Sequence, residues 1–200
     1  MGEPALTKSL SIEEYLAEER LATERHEYHR GEIFAMAGGT RNHSILGTNM
    51  LTELNLLGRR GGCTTFNGDM RVRIDAENCF LYPEASVVCG PVESSPFDAD
   101  AIVNPVLIAE VLSESTEAYD RGEKFRLYRQ LSSLREYVLI DQYRPIVQVF
   151  SLGEAGIWEM REYMGREGSL RLQSLQAEIR MADLYQNVDW EQPREDASAS

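Results

Sequence analysis

Alternation of polar and apolar positions is clearest over residues 69–75, where every second side chain is apolar. This period of two is typical of a half-buried antiparallel strand. Residues 106–112 are instead apolar almost throughout, which is typical of a central strand buried on both faces. Bounded apolar runs predict further strands over residues 31–36, 81–89, 135–141, 146–151, 157–163 and 170–172.

Helices are indicated by capping signals and by apolar side chains at helical spacing. Ser11 and Glu14 form a capping-box pattern, which predicts a helix running towards residue 23. Asn42 is predicted to cap a second helix, which ends at Gly61 and Gly62. A third helix is predicted over residues 117–131 and a short helical turn over 181–185, with a polar loop over 91–104.

The order of these elements predicts a mixed α/β or α+β fold with one central sheet flanked by helices. Residues 1–10 are interpreted as a flexible leader and residues 11–186 as one domain. Residues 187–200 are polar and acidic, which predicts a disordered tail.

Composition and charge narrow the class of protein. The chain has 200 residues, 42% of them hydrophobic, as expected for one globular domain. Its net charge of −13 argues against a protein that coats nucleic acid by bulk electrostatics, because phosphate contacts need Lys and Arg. The charge does not exclude a nuclease, since divalent cations can bridge carboxylates to phosphate.

Cysteine usage and the termini suggest the compartment. The three cysteines are odd in number and form no Cys-x-x-Cys pair, so neither a disulfide framework nor a zinc–thiolate site is expected. We find no signal-peptide pattern and no apolar run long enough to span a membrane. A cytoplasmic protein without a membrane partner is therefore expected.

Three charged residues occupy unusual positions. Glu110 is the only charged residue of its predicted strand, so it needs a cation, hydrogen bonds or a metal; an ion pair with a buried arginine is the structural alternative. On a helical wheel, Lys124 lies within the apolar arc, although its stem could pack while its amine reaches solvent. Glu84 follows Pro83 at a strand start, where active sites often form and where exposed carboxylates are also common.

Together the three residues are more specific than each alone. Two strand-borne carboxylates can hold Mg²⁺ through hard oxygen ligands. The metal then activates water and neutralises charge on the phosphate, while a nearby lysine can orient or deprotonate the attacking water and contact the phosphate. This combination is what metal-assisted cleavage of a phosphodiester requires.

Several segments, in this order, carry a resemblance to a known family. They are residues 27–32 (EYHRGE), 35–40 (AMAGGT), 68–72 (GDMRV), 82–84 (YPE), 110–113 (EVLS) and 119–125 (YDRGEKF). Together they resemble the Uma-two family of restriction endonucleases, within the PD-(D/E)XK nuclease superfamily. The resemblance runs from about Ser11 to Tyr185 and is most specific between Glu110 and Tyr128.

The resemblance implies a restriction-endonuclease-like fold and hydrolysis of DNA with Mg²⁺ or Mn²⁺. By position, Glu84 falls on the family's motif aspartate, Glu110 on its second acidic ligand and Lys124 on its lysine. Leu112 stands where the wider superfamily has lysine, which implies that the lysine has moved to the helix. Glu27 matches an early acidic position that the resemblance associates with the same metal site.

One departure from the family pattern concerns the metal ligands. The family usually has Tyr-Pro-Asp, and this chain has Glu84 in the third position. Glutamate can ligate Mg²⁺, but its extra methylene moves the carboxylate, and catalytic metal geometry is sensitive to such a shift. Weaker activity, a preference for Mn²⁺ or loss of activity would each follow from this change.

Further candidates each have a plainer interpretation. His43 could contact substrate from a helix start, or serve in capping and packing. Asp69 is either a neighbour of the site or the polar side of its strand. Arg71 and Arg73 share one strand face, where they either steer phosphate or pair with nearby acids.

The leading hypothesis from the sequence is a Mg²⁺-dependent DNA endonuclease. The alternative is a catalytically degenerate nuclease-fold protein that binds nucleic acid or regulates another activity. A third hypothesis is a partner-binding protein without a nucleic-acid role. A homodimer is expected by analogy, because cutting both strands often needs two sites.

Overall fold

The computed structural model describes residues 9–36 and 38–190. In chain order the strands are β1 (His26–His29), β2 (Glu32–Ala35), β3 (Cys63–Asn67), β4 (Arg71–Ile74), β5 (Cys79–Leu81), β6 (Ala85–Cys89), β7 (Ser94–Ser95), β8 (Asp98–Ile102), β9 (Leu107–Leu112), β10 (Glu136–Asp141), β11 (Ile146–Leu152), β12 (Trp158–Met164), β13 (Ser169–Leu172) and β14 (Ala177–Arg180). The helices are α1 (Ile12–Glu19), α2 (Arg41–Gly61), α3 (Glu117–Tyr119), α4 (Phe125–Tyr128) and α5 (Met181–Leu184). A 3₁₀ turn (Asp75–Glu77) follows β4, and a π-helical segment (Asp120–Lys124) joins α3 to α4.

The mixed α+β class with a mixed central sheet flanked by helices is confirmed, and the structure adds a second six-stranded sheet that was not predicted. The main sheet has the order β12-β11-β10-β9-β6-β3, and the second sheet has the order β2-β1-β5-β4-β8-β7. β13 and β14 form a separate hairpin. Both large sheets are mixed, with β9 parallel to β10 and β4 parallel to β8.

The predicted central strand is confirmed as β9. All six of its residues are buried, and it lies between β10 and β6. One face of β9 packs Leu107 and Val111 into a core shared with α2 and α5. The other face packs Ile108 and Leu112 into a core shared with α4. Glu110 has the strand parity of Ile108, so it points towards α4.

The predicted N-terminal cap of the first helix is confirmed, and that of the second helix is wrong. Ser11 and Glu14 form the predicted capping box of α1, which ends at Glu19 rather than near residue 23. α2 is capped by Thr40, whose hydroxyl accepts a hydrogen bond from the His43 amide, and not by Asn42. Asn42 is instead buried, because its side chain pairs with the backbone of Asp189.

Three strand and loop predictions were wrong in ways that matter for the site. Residues 81–89 are not one strand, because the chain leaves β5 at Leu81, passes Pro83 and enters β6 in the other sheet. The predicted loop over 91–104 contains β7 and β8. β4 is buried along its whole length rather than half-buried, since Arg71 and Arg73 pair with Asp98 and Asp75.

The cysteines and the chain ends also differ from expectation. Cys63 and Cys89 face each other across β3 and β6 and form a disulfide, which contradicts the expectation that disulfides are absent. Leu10 is buried within the predicted leader, and Val188 is buried beyond the predicted domain end at residue 186. The rest of the predicted leader and tail, residues 1–8 and 191–200, lie outside the described residues. No helix in the described ranges combines the length and apolarity needed to cross a bilayer.

Candidate active site

Glu110 lies on β9, and its carboxylate faces side chains of the π-helical segment and of α4. It is 4% exposed, and its Oε1 lies 3.1 Å from Lys124 Nζ. The Tyr128 hydroxyl donates to the same oxygen at 3.2 Å. The other oxygen, Oε2, accepts a long hydrogen bond of 3.4 Å from the Glu84 amide. The buried partner of Glu110 is thus a lysine, not the arginine of the structural alternative.

The ammonium group of Lys124 is the centre of the charged cluster. Its Nζ lies 3.1 Å from Glu27 Oε1, 3.1 Å from Glu110 Oε1 and 3.5 Å from Asp120 Oδ1. Lys124 is 7% exposed, so its amine points inwards and does not extend to solvent. The position of Lys124 on the apolar arc of the helical wheel therefore reflects burial of its charge.

The π-helical segment explains how one helical stretch presents three polar groups to β9. Residues four apart in an α-helix are rotated by about 40°, so Asp120, Lys124 and Tyr128 would drift around a regular helix. The wider π turn from Asp120 to Lys124 counteracts that drift before α4 begins. As a result Asp120 and Tyr128 both lie on the Lys124 side, within reach of the cluster. The predicted continuous helix over 117–131 misses this irregularity.

Glu27 enters the cluster from the second sheet. It lies on β1 and is 7% exposed; its Oε1 forms an ion pair with Lys124 Nζ and accepts a hydrogen bond of 3.3 Å from the Tyr82 amide. β1 pairs with β5, whose end leads through Tyr82 and Pro83 to Glu84. The segment that leaves the second sheet at residue 81 therefore connects Glu27 to Glu84.

Glu84 lies at the turn between β5 and β6 and directs its carboxylate towards α2. Its side chain is 31% exposed, and its Oε1 lies 3.4 Å from His43 Nε2. Gly47 makes room on the helix, because a Cβ at that position would lie 3.3 Å from Glu84 Oε2. The longer glutamate side chain is thus accommodated between the two helix residues His43 and Gly47.

A cavity of ≈ 190 Å³ is lined by most of the residues that the sequence predicted for the site. Its walls include Glu27, His43, Glu84, Glu110 and Lys124, with Asp120 and Tyr119 added. Asp69 does not line it, because its carboxylate pairs with Arg25 beside a neighbouring cavity of ≈ 240 Å³. Glu84 borders both cavities and so separates Asp69 from the cluster.

Asp120 is the cluster member that sequence reasoning missed. It is 2% exposed, as deeply buried as the other acids, although it begins a polar stretch of the helix. The available signal was its spacing: Asp120 precedes Lys124 by four residues, which places an acid and a base side by side on one helix face.

Burial and charge oppose each other in this cluster. Burial raises the pKa of Glu110; Lys124 opposes this shift, and the neighbouring acids Asp120, Glu84 and Glu27 reinforce it. Burial alone would lower the pKa of Lys124, but the carboxylates of Glu110 and Glu27 outweigh it and hold that pKa well above its ordinary value. Lys124 is therefore a stable cation at neutral pH.

Potential metal ligands are gathered around the lysine. Within residues 9–36 and 38–190, no three His, Cys, Asp or Glu side chains form a ready-made metal-binding group. The carboxylates of Glu27, Glu110 and Asp120 converge on Lys124 Nζ instead. Glu84 and Glu110 both line the cavity, and Glu110 Oε2, the oxygen that does not contact Lys124, accepts the hydrogen bond from the Glu84 amide.

Comparison with known proteins finds a family whose model matches most of this chain. The Uma2 family, described as "Putative restriction endonuclease", matches residues 12–183. Two uncharacterized proteins of Synechocystis sp. are similar: one is 34% identical over 179 residues, covering 90% of this chain and 93% of that protein. The other is 36% identical over 167 residues, covering 83% and 94%. Among solved structures, a "putative nuclease belonging to DUF820" from Anabaena variabilis has a TM-score of 0.70 at 16% identity, covering 88% of this chain and 97% of its own, which is a likeness of fold.

Proposed function

This chain belongs to the Uma2 family, and we propose that it is a metal-dependent DNA endonuclease that hydrolyses phosphodiester bonds with Glu84, Glu110 and Lys124. The observation that carries the proposal is the buried ammonium of Lys124, held at 3.1 Å by both Glu27 and Glu110. Glu84 borders the same cavity. A charged cluster buried this deeply costs free energy, and perturbed groups of this kind are concentrated at functional sites.

The charge balance of the cavity supports binding of a divalent cation. Among the described residues, its walls carry four carboxylates, from Glu27, Glu84, Glu110 and Asp120, against the single ammonium of Lys124. The surplus negative charge contributes to the raised pKa of Glu110. Carboxylate oxygens are the hard ligands that Mg²⁺ and Mn²⁺ prefer. The donor set therefore fits such an ion.

Glu110 and Glu84 are the residues that would hold the ion. Lys124 and Tyr128 occupy Oε1 of Glu110, whereas Oε2 accepts one long hydrogen bond from the Glu84 amide and retains lone pairs. The backbone of Glu84 is thus adjacent to the available oxygen, and its own carboxylate lies on the cavity wall. When bound, the cation lowers the pKa of a water molecule and neutralises charge on the scissile phosphate.

Lys124 has the position and the charge to act on the phosphate or on the attacking water. Its pKa lies well above the ordinary value, so it donates hydrogen bonds and does not act as a base. Glu27 and Asp120 fix its ammonium from two sides. A cation held in this way can contact a phosphate oxygen or orient water without a cost of reorganisation during the reaction.

The test is cleavage of supercoiled plasmid with Mg²⁺ or Mn²⁺ by the wild type, Glu110→Gln and Lys124→Met. Both variants are expected to lose at least about 10²-fold in nicking rate, because Glu110→Gln removes a ligand of the metal ion and Lys124→Met removes the cation that acts on the phosphate or the water. Glu136→Gln is the matched control, since Glu136 is a fully buried carboxylate on the adjacent strand β10 that binds Ser151 and the backbone of residues 173 and 174.

The outcomes separate catalysis from folding. Loss of nicking in the two site variants, with nicking retained in folded Glu136→Gln, supports the proposal. Equal nicking by all four proteins would exclude the assigned residues. A wild type that binds neither ion in calorimetry and does not nick DNA, although folded, would refute the function itself.

A further inference from the structure

The main sheet ends at β12, a long edge strand whose side chains are mostly exposed. β12 has seven residues, and all but Trp158 and Tyr163 are exposed. The opposite edge, β3, has five residues and lies against α2. The second sheet ends in β2 with four residues and β7 with two. Among the described residues, β12 is therefore the longest edge of either large sheet.

Long exposed edge strands are templates for pairing with another chain. Natural proteins usually blunt such an edge with proline, a bulge, a very short strand or charged side chains, and of these β12 carries only charges, of both signs, at Glu159, Arg161 and Glu162. β12 contains no proline and pairs with β11 in continuous register from Ile146–Met164 to Leu152–Trp158. Apolar side chains accompany it: Ile157 is 63% exposed, Met160 is 50% exposed and Met164 is 68% exposed.

Two-fold symmetry restricts how β12 can pair with a copy of itself. Directly paired residues of antiparallel strands point to the same side of the sheet, and successive residues alternate between sides. A two-fold axis must then pass beside one residue that faces its own copy. Pairing most of β12 requires that residue to be Met160, Arg161 or Glu162.

Charge distinguishes among these registers. Centring on Arg161 or Glu162 places identical charges opposite each other, which destabilises a strand pair. Centring on Met160 places Glu159 opposite Arg161 of the other copy, and Arg161 opposite Glu159, while Met160 packs on Met160. Ile157 then faces Tyr163. This register pairs unlike charges and covers exposed apolar side chains.

We propose that the chain forms a two-fold homodimer through antiparallel pairing of β12 with β12, centred on Met160. The main sheet continues across the two copies as one twelve-stranded sheet. Two ion pairs between Glu159 and Arg161 select the register. This interface lies at the edge of the sheet, and its test does not depend on the chemistry of the cavity.

Sedimentation equilibrium of the full chain over a range of concentrations tests the proposal. The wild type is expected to dimerise. Arg161→Glu and Glu159→Arg each create two like-charge pairs, so each should weaken dimerisation by about tenfold or more. The double variant Glu159→Arg/Arg161→Glu restores opposite charges in the same register and is expected to regain the wild-type dissociation constant. Arg166→Glu, an exposed charge change beyond the strand, is the control.

A second measurement checks the register. Met160→Cys should give a covalent dimer under mild oxidation, because only the central residue faces its own copy, whereas Met164→Cys should not. A monomeric wild type, a double variant no better than the single variants, or an equal effect of Arg166→Glu would overturn the proposal. Cross-linking at position 164 and not at 160 would also overturn it.

Discussion

Replacing Lys124 and replacing Glu110 should have unequal effects on stability, although the two residues form one ion pair. Lys124→Met removes the cation shared by Glu27, Glu110 and Asp120, whose side chains are 10%, 5% and 3% exposed. Glu110→Gln removes one carboxylate and leaves Lys124 with the other two. The lysine is the less replaceable partner because three acids depend on it.

The expected magnitudes follow from burial. Leaving buried charge without its partner costs about 3–5 kcal/mol of the free energy of unfolding, which we expect for Lys124→Met. In Glu110→Gln the amide oxygen can still accept from Tyr128, so the loss should be that of a single hydrogen bond, about 1–2 kcal/mol. Combining the two changes removes one of the unpaired acids, so the double variant should be more stable than Lys124→Met alone.

Urea denaturation in the presence of a chelator measures these differences without a contribution from metal binding. Unfolding can be followed by tryptophan fluorescence, since Trp158 packs edge-on against Phe125 in the folded state. Glu136→Gln reports the cost of placing an amide at another buried strand carboxylate. Additive losses in the double variant, or a loss in Glu110→Gln as large as that in Lys124→Met, would refute the shared-cation explanation.

Three further predictions concern metal affinity, pH and the disulfide. Tyr128→Phe removes the hydroxyl that orients the Glu110 carboxylate and should weaken Mg²⁺ binding by about tenfold in calorimetry. Tyr185→Phe, equally buried but hydrogen-bonded only to the carbonyls of Asp141 and Ile146, should leave the affinity unchanged; equal affinities of Tyr128→Phe and the wild type would contradict the orienting role. The hydrogen bond that Arg126 of α4 donates to Glu77 lowers the pKa of that carboxyl group. The stability that ionised Glu77 gives to the folded state is therefore complete above the ordinary pKa of glutamate and is lost as the pH falls through the lowered pKa. The difference in melting temperature between the wild type and Glu77→Gln should therefore narrow from about pH 7 to about pH 3, and a constant difference would contradict this. Reduction of Cys63–Cys89, separated by 26 residues, should lower the free energy of unfolding by about 3 kcal/mol in melts with and without reductant, an effect that Cys63→Ser/Cys89→Ser should lack.

Local signals in the sequence predicted that Glu110 and Lys124 are buried. Glu110 interrupts an apolar strand and Lys124 interrupts an apolar helix face, and a charge in an apolar pattern indicates burial whatever the tertiary structure. The two residues are 14 positions apart, and the structure places them in contact. The π turn was not predictable, since it changes the helical period without a change in residue type.

Other features depend on contacts between distant segments. β8 looked like a loop because its polar sequence includes Asp98, and the arginine that neutralises Asp98 lies on β4. The cysteine count could not show that β3 and β6 are neighbours, which is what brings Cys63 to Cys89. Pro83 and Glu84 were correctly placed at the start of a strand, since β6 begins at Ala85, but only the sheet topology shows that the chain changes sheets there.

The charged cluster around Lys124 has a consequence for how the protein folds. Glu27 comes from the second sheet near the start of the chain, Glu110 from the main sheet, and Lys124 from the helical stretch after it. Both acids are synthesised before Lys124, the residue that neutralises them. The three side chains come together only when both sheets have packed against each other. A partly folded or truncated chain therefore lacks the proposed catalytic arrangement. The contact that organises the cavity is thus present only in the finished fold.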